Sequence, residues 1–170
     1  MTISAHAQLD VSITSFETNT KTGNKVATAH VQNNSGKDVA AFHLALTLHY
    51  ADGKTSNSQG HTTDFGYRAT KSGDPKHGIP KLLAAGESYD VPITLERDVV
   101  QVTAKFSAVV YADRTAQGDP DAIHSIIYGR QKFAERIAKT EPQNAAAAEA
   151  FAKDDVKCGD ALCSTLRRQP

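Results

Sequence analysis

The residues best suited to chemistry lie in one polar stretch. His61-Thr62-Thr63-Asp64 and Asp74-Pro75-Lys76-His77 give a His-x-x-Asp followed by a mirrored Asp-x-x-His. Imidazole nitrogens and carboxylate oxygens suit zinc and other borderline divalent cations, and His61, Asp64, Asp74 and His77 are enough donors to close a tetrahedron. Tyr67 and Arg68 lie between the two pairs and are the binding candidates of the same stretch. The competing reading is a polar loop that holds such residues by composition, since the chain has seven histidines. The stretch runs from about 55 to 80, with short strands expected within it, and a loop that long in a compact domain is functional or disordered.

Other groups offer weaker signals. His30, His43 and His49 fall on the polar faces of alternating segments, where cross-strand histidines can hold a metal or sense pH. Asp113, Asp119 and Asp121 crowd one short segment but lack the Asp-x-Asp-x-Asp-Gly spacing of a calcium loop. A turn leading into a helix capped by Asp119 explains them. Cys158 and Cys163 are close in sequence, and a local disulfide is the expected pairing for an exported chain. Arg130, Lys132, Arg136 and Lys139 read as the solvated face of a helix. No Gly-x-Ser-x-Gly, Gly-rich phosphate loop, His-Glu-x-x-His or Cys-x-x-Cys occurs, which lowers the expectation of an enzyme.

These residues need a scaffold, and the chain is long enough to bury a core. It has 170 residues, 39% hydrophobic and 22% charged, with a formal net charge of zero. Acidic and basic residues balance on both sides of Gly118, so neither part has the basic excess that nucleic acid attracts. No apolar run is long enough to span a bilayer. Ala5-His6-Ala7 before Gln8 has the small-x-small form of a signal-peptidase site. The expectation is an extracytoplasmic protein, periplasmic or secreted, whose leader is removed before Gln8.

Alternation over the first two-thirds predicts strands. Leu9, Val11 and Ile13 alternate with polar residues, as do Ala27, Ala29 and Val31, then Phe42, Leu44, Leu46 and Leu48. Tyr89, Val91, Ile93 and Leu95 follow, and then Val100, Val102, Ala104, Phe106, Ala108 and Val110. Such segments, separated by turn signals such as Asp52-Gly53, predict an antiparallel sandwich or barrel over 8–113. A helical tail should occupy 119–170. It comprises an amphipathic helix over 119–139, opened by Asp119-Pro120, an Ala-rich helix over 144–153 and a short helix over 160–168. Tyr50-Ala51-Asp52-Gly53-Lys54 and Tyr111-Ala112-Asp113-Arg114-Thr115 echo one another after alternating segments, an echo that shared turn chemistry explains.

The run Val31-Gln32-Asn33-Asn34-Ser35-Gly36-Lys37-Asp38-Val39, with Tyr50-Ala51-Asp52-Gly53 and Leu83-Ala84-Ala85-Gly86-Glu87, resembles bacterial extracytoplasmic immunoglobulin-like domains of the FxLYD-like kind. The resemblance covers about half the chain and stops before the tail. It implies an immunoglobulin-like β-sandwich and a binding or spacer role without catalytic residues. The absence of Trp and the placement of both cysteines in the tail remove the disulfide-and-Trp pin of antibody domains. The expected function is a non-enzymatic module with a protein partner or self-association and no cofactor. The alternative is a metal-binding protein or metal-dependent enzyme using the loop His and Asp residues.

Overall fold

The computed structural model describes residues 9–66, 82–153, 156–158 and 161–162. The fold is mainly β, with a helical C-terminal part. Strands β1 (Leu9–Thr18), β2 (Lys25–Asn33), β3 (Val39–Tyr50), β4 (Thr55–Asp64), β5 (Ser88–Leu95), β6 (Val99–Tyr111) and β7 (Ala116–Gly118) precede helix α1 (Pro120–Thr140). A 3-10 turn at Pro142–Asn144, helix α2 (Ala145–Ala152) and the short strands β8 (Lys157–Cys158) and β9 (Ala161–Leu162) follow. The sheets have the orders β1-β2-β5, β4-β3-β6-β7 and β8-β9. The described chain divides into two compact units. One takes the residues up to Lys37 with Leu44–His61 and Ala84–Phe106; the other takes Asp38–His43, Thr62–Leu83 and the residues from Ser107 on.

In the first unit, β2 pairs antiparallel with β1 on one side and β5 on the other. The register puts Ala29 opposite both Ile13 and Val91, and Val31 opposite both Val11 and Tyr89. Ala27, Ala29, Val31, Val91, Ile93 and Leu95 are buried, while alternate positions such as His30 and Asp90 face solvent, as a period of two requires. Asn33 is a buried amide that builds the turn after β2. Its Nδ2 donates to the carbonyls of Lys37 and Ala84 at 2.8 and 3.1 Å, and its Oδ1 accepts from Ser35 N and Oγ at 3.1 and 2.6 Å. The Asn-x-Ser pattern is thus a fully bonded corner.

In the second unit, Ala41, Ala108, Val110 and Ala116 from the strands pack with Ala122, Ile123, Ile126 and Ile127 of α1 and with Val156. Asp119 is the N-cap, its Oδ1 accepting from Asp121 N at 2.8 Å, and Pro120 starts the helix. Gly118 makes the entry possible. Its φ is +117°, and a Cβ there would lie 2.2 Å from the Ser107 carbonyl oxygen. The same oxygen accepts from Asp119 N at 2.7 Å. Phe42 and Phe65 meet edge to face at 6.0 Å between ring centres.

Three expectations are corrected. The stretch from Thr55, expected as a loop holding only short strands, opens with one ten-residue strand, β4 (Thr55–Asp64), at the end of its sheet. An outer strand needs less apolar alternation than a central one, and Thr-rich segments suit a pleated surface. Val100 is 54% exposed, whereas Val99 and Val102 are buried, so regular alternation in β6 begins only at Val102. Within the expected short helix over 160–168, Ala161–Leu162 instead form β9, paired with Lys157–Cys158, and the rest of that span lies outside the described residues. The antiparallel pairing engages the backbone N–H and C=O groups that a helix would use there.

Candidate functional site

The site grows from the end of β4 and the middle of α1. Asp64 Oδ2 accepts from Arg130 Nε at 2.7 Å, and Asp64 Oδ1 accepts from Gly66 N at 3.0 Å. Both side chains are almost wholly buried, at 0% and 3% exposure. Arg130 therefore does not belong to the solvated face with Lys132, Arg136 and Lys139. It follows Ile126 and Ile127 by four and three residues and precedes Phe133 by three, which sets it on the apolar stripe. The sequence carried that signal in its phase, and the residue type hid it. Desolvating two charges costs several kcal/mol per ion before their attraction offsets it, so this pair fixes a geometry more than it adds stability.

A cavity of about 210 Å³ opens beside the pair. Asp64, Gly66, Leu82, Tyr111, Arg114 and Arg130 are among its lining residues. Arg114 reaches it from the turn between β6 and β7. Its φ is +69°, the left-handed region, and it is alone among the described non-glycine residues there. Asp113 shapes this turn, its Oδ1 accepting from Thr115 N at 2.9 Å and Thr115 Oγ1 at 2.5 Å.

The histidines take separate partners. His30 Nδ1 lies 2.7 Å from Asp90 Oδ1 across the β2–β5 pair, and His49 Nδ1 lies 3.4 Å from Thr55 Oγ1. His43 and Ser107 are half-buried. Ser107 Oγ donates to the His43 carbonyl at 3.2 Å and accepts from His43 Nδ1 at 2.7 Å. Burial pushes the His43 pKa below the usual imidazole value, and the Asp119 carboxylate opposes this.

Of the proposed metal ligands, His61 is half-buried on β4 and Asp64 is the partner of Arg130. Asp74 and His77, and the binding candidates Tyr67 and Arg68, lie outside the described residues. Among the described residues no group of three or more His, Cys, Asp or Glu side chains is placed to hold an ion. Cys158 is half-buried against the cluster of Val110, Ile123 and Val156, and Cys163 lies outside the described residues. A second groove, of about 430 Å³, runs between α1 and α2 over Ala134, Ala138, Ala145 and Ala152. Its rim residues Glu135 and Glu149 are paired with Lys132 and Lys153. No helix among the described residues is long and apolar enough to cross a membrane.

No protein-family model and no curated protein matches the sequence. Among solved structures, the chain is similar to a DUF1425 family member from Shewanella sp. pv-4, at 15% identity and a TM-score of 0.41, over 61% of this chain and 80% of that one. It is also similar to a hypothetical protein from Peptoclostridium difficile 630, at 9% identity and a TM-score of 0.40, over 71% of this chain and 90% of that one.

Proposed function

We propose that the protein is a non-enzymatic extracytoplasmic binding module, built as an immunoglobulin-like sandwich, that acts through contacts with another protein or with its own copies. The strand orders β1-β2-β5 and β4-β3-β6-β7 support the sandwich, because they match the A-B-E and C′-C-F-G sheets of seven-stranded Greek-key sandwiches. The cavity at Asp64, Arg114 and Arg130 carries the functional reading. It combines apolar walls with a few convergent charged groups, the composition of a ligand site. The small-x-small run before Gln8 supports export.

A photo-crosslinking side chain in place of Ala112, an exposed residue at the cavity, tests the reading in the native host. The expected product is a protein adduct in the periplasmic or secreted fraction. A chain confined to the cytoplasm, or one that yields no adduct after export, sinks it.

The metal reading requires Asp64 as a ligand, and both of its oxygens already accept hydrogen bonds. Added zinc is therefore expected to leave the thermal midpoint unchanged. A rise that His61→Ala and His77→Ala abolish would reverse the choice between the two readings.

A further inference from the structure

Strand β6 extends well past its outer neighbour. It lies between β3 and β7 and runs from Val99 to Tyr111, whereas β7 pairs only with Ala108–Val110. Among the described residues no strand lies along Val99–Lys105 on that side, a stretch wholly within the first unit. Hydrogen bonds at the far end set the phase. Tyr111 N donates to Thr115 O at 2.9 Å, and the Ser107 carbonyl accepts from Asp119 N at 2.7 Å. Successive residues of a strand turn their backbone groups to opposite edges. The odd-numbered positions of β6 therefore face the open edge, where Gln101, Thr103 and Lys105 present N–H and C=O groups. The side chains of these three residues are exposed, as is that of Val100 beside them.

Other strand edges carry blocks against pairing. β1 is interrupted by a register shift between Ile13 and Ser15 and bears Asp10 and Glu17. β5 contains Pro92, which has no N–H to donate, and β4 is weakened by Gly60. Bulges, charges and proline are the usual guards of a sheet edge. Val99–Lys105 has Lys105 as its one charge. That charge and the phase of the edge select a neighbour. Two copies of β6 laid antiparallel about Thr103 set Thr103 opposite Thr103, and Gln101 opposite Lys105 on either side. Opposed threonines stabilise a ladder, and no like charges face each other. Centring on Lys105 would oppose two ammonium groups and run the second copy into β7. Centring on Gln101 would bring Arg97 against Lys105, and centring on Val102 would set Lys105 opposite the buried Val99.

We infer that the open edge of β6 pairs with the same edge of a second copy of this chain, antiparallel about Thr103, in a two-fold dimer whose sheet continues from one protomer into the other. The inference rests on the binding-module reading and names one partner for it. So short a ladder covers less area than a standard interface, and the dimer is expected at roughly 100 µM and above.

Sedimentation equilibrium of the intact chain tests the pairing. The weight-average mass should rise toward that of a dimer as concentration approaches about 1 mM. Thr103→Lys and Thr103→Glu each set like charges opposite one another at the two-fold axis. Each should weaken self-association by about tenfold at an unchanged thermal midpoint. An equal mixture of the two variants opposes unlike charges and should restore the dimer. A parent chain that stays monomeric overturns the inference. So does a dimer that both variants preserve, or a mixture no more dimeric than its components. Amide exchange of the parent chain gives a readout that needs no variant. Exchange at Thr103 should slow as the protein is concentrated, and a rate independent of concentration overturns the pairing. A monomer that still gives the Ala112 adduct removes the pairing and leaves the module standing. A dimer without that adduct does the reverse.

Discussion

Asp64 and Arg130, sixty-six residues apart, form a buried ion pair of 2.7 Å that ties the end of β4 to the middle of α1. Removing one member strands the other charge away from water. Asp64→Ala or Arg130→Ala is expected to destabilise the protein by about 3–5 kcal/mol in urea unfolding. The double replacement Asp64→Leu/Arg130→Met should cost less than either single change. A double variant as unstable as the sum of the singles would show that the two residues act independently.

Gly118 leaves no room for a side chain. Gly118→Ala sets a methyl group against the Ser107 carbonyl and forces a left-handed φ on a residue with a Cβ. A loss above about 2 kcal/mol is expected. Asp119→Ala, next to it, removes only the cap and should cost about 1 kcal/mol. The order of the two losses is the test, and a milder Gly118→Ala would refute the close approach.

His43 links stability to pH. Burial lowers its folded-state pKa, so the folded state favours the neutral ring and the unfolded chain binds the proton more readily. Its contribution is complete above the ordinary imidazole value of about 6.5 and declines as pH falls through the folded value. Thermal midpoints measured from about pH 8 to about pH 5 should fall more steeply for the parent protein than for His43→Gln. Parallel profiles would remove His43 as a source of acid sensitivity.

Cys158 and Cys163 are proposed to pair in the exported protein. Closing so short a loop stabilises the tail by roughly 2 kcal/mol. Alkylation without reductant should leave the mass unchanged, and alkylation after reduction should add two labels. Two labels without reductant would refute the bridge.

Legibility in the sequence followed the physics of each element. β2, β3 and β5 were plain because one face is buried and the other wet, so Ala27, Leu44 and Val91 fall at every second place. The start of α1 was plain because Asp119 and Pro120 act locally, and its end followed from Pro142, which disfavours helix in the residue before it. The length and bounds of β4 were hidden, though short strands were expected there, because an outer strand of Thr, Ser, Asn and Gln carries no apolar period. Arg130 was hidden because its charge outweighed its position on the stripe. The left-handed Arg114 could have been suspected from the echo with Tyr50-Ala51-Asp52-Gly53, where glycine is the informative difference.

The pairing of α2 with α1 has a consequence of its own. Phe133, Ile137 and Ala148 form the whole of their buried cluster among the described residues. An eight-residue helix is marginal on its own in water, so α2 depends on its packing against α1 and can open locally below the cost of global unfolding. Amide hydrogens of Ala145–Ala152 should then exchange early, and a protease should nick this segment while β2, bonded on both sides, stays protected.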